Sequence, residues 1–587
     1  MTGNQPTSPT PERRIGVYIC HCGGNISDYV DVEAVREALK DEPDVVVSTD
    51  PMFACSDGTQ QDMIADIHSQ GLDGLVVASC SPKLHQTTFR NVAKRAGLNP
   101  YTYTQVNIRE QDSWAHTHDR TGATAKAIGL IRAGVAKTRL SDPLEPLVVT
   151  TQPRTLVVGG GVTGLRTALG LADIGLETVL IERQATLGGW VAGFGATFPA
   201  EVSGADEIAG LVERCQARRD ITIYTNAELT GKSGSFGNYS VEITLHRGDG
   251  DHQLSVDVGS IVVTTGFEAY QPADDEFGYG TPGVMTLPDF KRLVDAGGPL
   301  QVGGRPVSTI AYVYCVGSRQ PASGNEYCSK YCCTAAIHTS TLVERLDPTI
   351  RQFHLYRDIR AYGRNELTYN ASREAGSIYL KYPDDDAPTV AATADGLSVT
   401  VTDLLTQSRE LTIPVDLVVL VTGMVPRANA ALTDLLKLPV GGDGFYNEIH
   451  PKLRPVETVV DGVMIAGCCQ SPRTIGESVS AGLAAAAQSA ALLKKGVAEI
   501  EPLVARVETR RCLGAGDCLT ACPYDAITAV DWEGRRVAYV DPAVCKGCGG
   551  CVPYCPNDAI DLLGYTDAQM VAAIDELITQ TATEVSV

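Results

Sequence analysis

Near the start of the chain, short apolar runs at Ile15–Ile19 and Leu75–Ala78 alternate with stretches of helical spacing, Val32–Leu39 and Thr124–Lys137. That alternation predicts a small α/β domain over residues 15–145. The linker SDPLEPLVVTTQPR, with its three prolines, closes it. From Thr155 to about Lys495 the pattern of strands and helices resumes, enough chain for two dinucleotide-fold halves, so residues 146–500 form the second expected domain. A cysteine-rich module follows at 501–563, and the tail at 564–587 has helical periodicity from Asp567 to Ile578. The lead-in at 1–14, MTGNQPTSPTPERR, is polar and rich in Pro and Thr, a composition that predicts disorder. A chain of 587 residues is too long for a single hydrophobic core, which agrees with several domains.

The segment TLVVGGGVTGLRTALGLADIGLETVLIER reads as a strand, a Gly-x-Gly-x-x-Gly turn, a helix and a second strand. Gly159 permits the tight turn, Gly161 lets the backbone approach a pyrophosphate, and Gly164 lets helix and strand pack. Val162 and Thr163 open the helix, whose N-terminus stabilises phosphate charge. Glu182 ends the second strand, with Arg183 beside it, and can hold the hydroxyls of an adenosine ribose. A bare glycine fingerprint is common, but here strand, helix and acidic residue fall in register. The later strand TIAYVY, where a second nucleotide loop belongs, runs instead into Cys315-Val-Gly-Ser-Arg with one usable glycine. An ordinary NAD(P)H site is not expected there.

Composition narrows the class. The chain is 44% apolar and 20% charged, and no stretch approaches the ~20 apolar residues of a membrane span. No apolar signal core precedes residue 15, so a cytoplasmic location is expected. A formal charge of −22 argues against nucleic acid and is compatible with solubility or a basic protein partner. The 18 cysteines, in a chain without an export signal, are expected to stay reduced and to serve largely as ligands.

Those cysteines fall in sets. The run Cys545-x2-Cys548-x2-Cys551-x3-Cys555-Pro is the bacterial ferredoxin spacing, in which the fourth cysteine crosses to the other cluster. Cys545, Cys548 and Cys551 therefore pair with Cys522 around one [4Fe-4S] cluster. The first run carries Ala515 where its second cysteine belongs, leaving Cys512, Cys518 and Cys555. Three thiolates suit a [3Fe-4S] cluster, or a [4Fe-4S] cluster whose odd iron takes water or Asp517; loss of that cluster is the alternative. Between the dinucleotide halves, CVGSRQPASGNEYCSKYCC supplies Cys315, Cys328, Cys332 and Cys333, four thiolates that suit a cubane cluster or a tetrahedral zinc, with a disulfide as the bland reading. Near the start, Cys20, Cys22, Cys55 and Cys80 sit at or near strand ends, and such ends converge on one edge of an α/β sheet. Cys215 reads as a buried thiol, as does the Cys468–Cys469 pair, with Cys468 also a candidate flavin neighbour.

Two family resemblances sharpen these readings. Leu187-Gly188-Gly189, the return motif with Thr265 and Gly266, and DGVMIAGC ending at Gly467 resemble segments that pass the flavin in thioredoxin-reductase-like flavoproteins, which implies FAD in the first half. The residue after Gly467 is usually Asp in that family and here is Cys468. More specifically, YCVGSR, YCSKYCC, LYRDIRAYGRNE and EIHPKLRPVETVVDGVMIAGCCQSP resemble the A-subunit family of the heterodisulfide reductases, as do LNPYTYTQVNIREQDSW and SPKLH in the first domain. The resemblance runs from about residue 15 to the last ferredoxin cysteine. It implies iron–sulfur rather than zinc at Cys315, Cys328, Cys332 and Cys333, and a further [4Fe-4S] cluster at the four N-terminal cysteines. Many relatives insert a two-cluster ferredoxin module after the TFP segment; ATFPAEVSGADEIAGLVERCQAR contains only Cys215, so this chain is a short form.

The expected fold is therefore α/β: an N-terminal cluster domain, a thioredoxin-reductase-like FAD domain with two dinucleotide folds, and a C-terminal α+β ferredoxin domain. The expected function is electron transfer, because flavin interconverts two-electron and one-electron chemistry and clusters carry single electrons. The resemblance implies other heterodisulfide-reductase-like subunits and an electron donor or acceptor protein as partners, a homodimer within a hetero-oligomer, and leaves open whether the flavin bifurcates electrons. An NAD(P)H-dependent oxidoreductase resembling the small subunit of glutamate synthase is the alternative, and it needs the second glycine loop that Cys315 displaces. A scaffold with degenerate clusters would be colourless. No acid–base pair or nucleophile triad stands out, so no side chain is assigned to catalysis.

Overall fold

Residues 13–199, 201–321, 324–394 and 396–584 are described by the computed structural model; the lead-in at residues 1–12 lies outside them. The chain divides into two units, one made of the stretch up to Val148 together with Glu499 onward, the other spanning Val149–Ala498.

In the first unit the strands Val45–Thr49, Ile15–Ile19, Gly74–Ser79 and Tyr103–Asn107 pair in that order, all parallel. The two interior strands are buried at every residue, which is why they read as unbroken apolar runs. The crossover helices begin at side-chain caps: Asp31 accepts from Ala34 N, Ser56 from Thr59 N, and Ser81 from Lys83 N with Pro82 in the first turn. The helix expected at Thr124–Lys137 runs longer, Arg120–Arg139, because Asp119 caps it by accepting from Gly122 N. The ferredoxin module adds two short antiparallel pairs, Ala505–Val507 with Ile560–Leu562 and Ile527–Trp532 with Arg535–Val540. The C-terminal helix Asp567–Glu584 packs on Arg120–Arg139, and Gln569 Nε2 donates to Leu140 O at 3.1 Å. Arg90 also reaches Glu501 at 2.8 Å. Those contacts draw the N-terminal α/β domain and the ferredoxin module, far apart in sequence, into one unit.

The second unit holds two five-stranded parallel sheets. In the first, Val463–Ile465, Ser260–Val263, Arg154–Val158, Glu177–Glu182 and Ile221–Thr225 lie side by side. In the second the order is Val284–Thr286, Leu417–Thr422, Thr309–Val316, Arg351–Tyr356 and Ile378–Lys381. Antiparallel three-stranded sheets at 227–258 and 389–415 complete the two halves. Where a longer chain would carry an inserted module, the backbone turns straight back: Thr197 N donates to Val202 O at 2.9 Å and Gly204 N to Gly195 O at 2.8 Å.

One buried group in the first unit carries a measurable cost. Asp112 is fully buried, and neither carboxylate oxygen has a hydrogen-bond partner among the described residues. Burial pushes its carboxyl up to about 6. The folded chain therefore holds this proton more tightly than the unfolded chain does, and stability falls as pH rises from about 4 to 6, by roughly 3 kcal/mol for a shift of about two units. Asp112→Asn cannot ionise, so urea denaturation at pH 7 is expected to show the variant more stable by up to about 3 kcal/mol, a gain that falls to about half by pH 5. An equal gain at both pH values would show that ionisation is not the cause.

Candidate functional site

The glycine turn sits where the first parallel sheet of the second unit ends. Gly159 has φ +111°, and a Cβ there would lie 2.6 Å from Thr264 O. A Cβ on Gly164 would lie 1.9 Å from Gly159 O, so the helix Val162–Asp173 can approach the strand only with glycine at that position. Gly161 differs: a Cβ there meets nothing within 4 Å, which marks open space at the helix N-terminus where backbone N–H groups point. Glu182 accepts from Gly160 N at 2.7 Å and from Gln184 N at 2.9 Å, so it fixes the turn as well as facing it. Arg183 is half-exposed, 3.9 Å from Glu228.

The other expected flavin segments gather at the same edge. Gly188 N donates to Gly160 O at 2.8 Å, and Gly188 and Gly189 both have positive φ. Thr265 Oγ1 is buried without a partner among the described residues, and Gly266 has φ +74° with open space beside it. A Cβ on Gly467 would lie 2.6 Å from Thr163 Oγ1. Open space, an orphaned hydroxyl and unpaired helix N–H groups are what a dinucleotide with a pyrophosphate needs, so these residues fit FAD. Cys468 Sγ donates to Arg473 O at 3.4 Å and lies 3.5 Å from Ser478 Oγ. Cys215 and Cys469 are core thiols, bonded to Leu165 O and Val263 O respectively.

At the end of Thr309–Val316 in the second half, Cys315 adopts φ +63°, an uncommon conformation for a residue with a side chain. A hairpin returns to Cys328, whose sulfur accepts from Lys330 N at 3.3 Å, and the helix Cys332–Leu346 starts on the remaining two thiols. Cys315 and Cys332 each feel the charge of Cys333 and Cys328, although among the described residues no three His, Cys, Asp or Glu side chains are grouped as the ligands of a single metal ion. The thiol of Cys332 is pushed up by its hydrogen bond to Cys333 and by burial; the same bond lowers Cys333. Gly317 is no phosphate cradle: a Cβ there would lie 1.9 Å from the Tyr270 ring, which fills that space.

The other two sets also converge. Cys20 accepts from Cys22 N at 3.2 Å and Ala54 N at 3.3 Å, and Arg109 Nη1 donates to Cys22 Sγ at 3.4 Å. Cys20 feels Cys22 and Cys55, while Cys80, pushed up to about 11 by burial, feels Cys22 and Cys20. In the ferredoxin module Cys518 feels Cys512 and Cys555, whereas Cys551 feels Cys545, Cys548 and Cys522. The same backbone register serves both halves: Ala526 N donates to Cys522 Sγ at 3.3 Å and Ala559 N to Cys555 Sγ at 3.2 Å. Cys512, Cys518 and Cys555 line a cavity of about 260 Å³ that also touches Ala515, Asp517 and Tyr554. Thiols that burial keeps protonated are poor ligands until a metal displaces the proton, and amide N–H···S bonds then support the thiolate.

Sequence reasoning missed the residues between the flavin cradle and the central thiols. Trp190 stacks on Phe267 with ring centres 5.6 Å apart, Phe267 leans on Tyr331 at 6.5 Å, and Tyr331 feels both Cys332 and Cys468. Lys330 pairs with Glu477, which completes the capping box of the helix Ile475–Leu493. Their signal was position: each lies within two residues of a glycine or cysteine already singled out, apart from Glu477.

Known proteins share these features. The family described as "4Fe-4S dicluster domain" matches residues 505–562, and the family described as "Pyridine nucleotide-disulphide oxidoreductase" matches residues 113–281. The chain is 35% identical to iron–sulfur A-subunit 2 of the CoB–CoM heterodisulfide reductase of Methanopyrus kandleri, over 90% of this chain and 92% of that protein. It is 35% identical to the A-subunit of the H(2):CoB-CoM heterodisulfide,ferredoxin reductase of Methanothermobacter thermautotrophicus, over 88% of this chain and 91% of that one. The first alignment runs over 614 positions, more than the 587 residues of this chain, so the relative carries residues that this chain lacks. Lactococcus lactis thioredoxin reductase is similar over 58% of this chain and 99% of its own, at 15% identity and a TM-score of 0.41.

The two glycines separate folding from binding. Gly161→Val, facing open space, is expected to leave the fold intact and to abolish flavin content, read as the loss of flavin absorbance in purified protein. Gly164→Val, which meets backbone, is expected to lower thermal stability as well. Flavin retention in Gly161→Val would contradict the placement of the pyrophosphate.

Proposed function

The chain belongs to the A-subunit family of the heterodisulfide reductases, and from that premise we propose that it serves as the flavin and iron–sulfur electron-transfer subunit of a heterodisulfide-reductase-like assembly. It is an oxidoreductase of thioredoxin-reductase-like α/β architecture, with FAD and [4Fe-4S] clusters implied by its two matched families. Among the described residues no helix is long and apolar enough to cross a membrane. The observation that carries the reading is the meeting of the FAD cradle and a four-thiol set within one unit, with Tyr331 beside both Cys332 and Cys468.

Bound flavin supplies the exchange between paired and single electrons, and bound clusters relay single electrons. The chain's own residues do the rest. Gly161 and the helix N-terminus behind it receive the pyrophosphate, Glu182 faces the ribose, and Thr265 offers its unpaired hydroxyl. Trp190, Phe267 and Tyr331 form an apolar layer that keeps water from the space between cradle and thiols. Cys315, Cys328, Cys332 and Cys333 hold the central cluster; Cys20, Cys22, Cys55 and Cys80 hold a second; Cys522, Cys545, Cys548 and Cys551 hold a third. Cys512, Cys518 and Cys555 hold a cluster with one unsupported iron. The N-terminal and ferredoxin modules are the docking points for the assembly's other subunits and for an electron donor or acceptor protein, and two copies of the chain pair within it. An NAD(P)H site in the second half has no support, since Tyr270 occupies the place of its phosphate loop.

The reading is most exposed at Ala515. Anaerobically purified protein is expected to contain FAD, iron and acid-labile sulfide, and mild oxidation is expected to yield the paramagnetic signal of a three-iron cluster. Ala515→Cys is expected to suppress that signal by supplying a fourth thiolate at the spacing of the run beginning at Cys545. Stoichiometric zinc without sulfide, or an oxidised wild type with full iron and no three-iron signal, would contradict the assignment.

A further inference from the structure

Two basic residues beside the turn that leaves Cys315 each carry one buried donor with no hydrogen-bond partner among the described residues. The side chains of Arg319 and Arg357 are only 17% and 11% exposed. Arg357 clamps the turn that leaves Cys315, its Nη1 donating to Arg319 O at 2.8 Å and its Nη2 to Ser318 O at 3.3 Å. Arg319 Nη2 lies 3.0 Å from the Asp358 carboxylate, and the carbonyl of Asp358 is 3.8 Å from Cys333 Sγ. Arg319 itself sits at φ +57°, so the backbone is held in an uncommon conformation where this side chain is aimed. Yet Arg319 Nη1 and Arg357 Nε are buried with no hydrogen-bond partner among the described residues; the nearest acid to Arg357 Nε, Asp384, stays 3.7 Å away.

A buried guanidinium N–H without an acceptor is costly even where the group's charge is ion-paired, and here two such donors lie beside one turn, with room for a further acceptor. The charge of both guanidinium groups is felt at Cys315, and at Cys333 that of Arg360, whose backbone also bonds the sulfur, and then that of Arg319. In the ferredoxin module, by contrast, the charges felt at Cys518 and Cys551 are those of other cysteines. The acceptor that fits is anionic sulfur.

We propose that Arg319 and Arg357 are positioning residues that donate charge-assisted N–H···S hydrogen bonds to the sulfur of the central cluster and raise its reduction potential. The inference rests on reading Cys315, Cys328, Cys332 and Cys333 as the ligands of that cluster. A core held by four thiolates is anionic and gains one more negative charge on reduction, so fixed positive donors stabilise the reduced form more than the oxidised form. The arginines thus make the central cluster the favoured place for an electron that leaves the flavin.

The full-length holoprotein, prepared anaerobically, is titrated electrochemically while the central cluster is followed through the paramagnetic signal that Cys332→Ser removes. Arg319→Gln is expected to retain full iron and sulfide and to make reduction of that cluster about tenfold less favourable, a downward shift of about 59 mV for one electron. Arg319→Lys and Arg357→Lys keep the charge but lose the fork, and each is expected to shift the potential downward by less. Full iron with an unshifted potential in these variants overturns the proposal and shows that water satisfies the donors. Should Arg319→Gln lose iron, the two lysine variants decide on the same criterion. If Cys332→Ser itself loses no iron, the cluster reading fails first, a result distinct from an unshifted potential.

Discussion

A parallel sheet sends all of its strand exits to one edge, and each of the three parallel sheets in this chain carries candidate site residues at such an exit. Cys20 and Cys80 follow neighbouring strands of the first sheet, Gly159, Gly266 and Gly467 follow three strands of the second, and Cys315 ends the central strand of the third. Residues separated by up to three hundred positions thereby meet with no ordered structure devoted to bringing them together. Only the ferredoxin module works differently. There the strands are short and antiparallel, and ligand spacing within two sequence runs does the gathering.

This arrangement concentrates destabilising features at the same edges. The buried thiols favour the protonated state, Cys22 and Cys315 adopt positive φ, and among the described residues the buried polar atoms without a partner include those of Thr265, Arg319 and Arg357. Each feature lowers the stability of the chain without its cofactors, and each is relieved by a ligand of the matching chemistry. Cofactor binding and folding are therefore coupled, because anything that binds only the folded state stabilises it by mass action. The sulfurs already accept hydrogen bonds in the folded chain: backbone N–H groups at the ferredoxin thiols, the Lys330 N–H at Cys328, and the Arg109 guanidinium at Cys22.

Features written in consecutive residues were legible from the sequence. The glycine fingerprint, the run ending at Cys555 and the unbroken apolar strands each state a local requirement. The short form was likewise visible in the segment after Phe198. Features that depend on elements meeting across the fold were not legible. Nothing local to Arg357 says that its side chain reaches the turn after Cys315, and nothing in Gln569 says that it caps the end of the Arg120–Arg139 helix. The Trp190, Phe267 and Tyr331 layer comes from three separate segments, each of which reads alone as an ordinary half-buried aromatic.

The central claim is that the flavin and the clusters form one electron path, with the first step across the Tyr331 layer. Selective photoreduction of the bound flavin, without mediators and under strict anaerobiosis, tests this directly when the iron–sulfur signals are recorded in step with flavin bleaching. Cluster signals are expected to appear as the flavin is reduced, and the central one, absent in Cys332→Ser, is expected first. A flavin that becomes fully reduced while every cluster stays oxidised would contradict a single path.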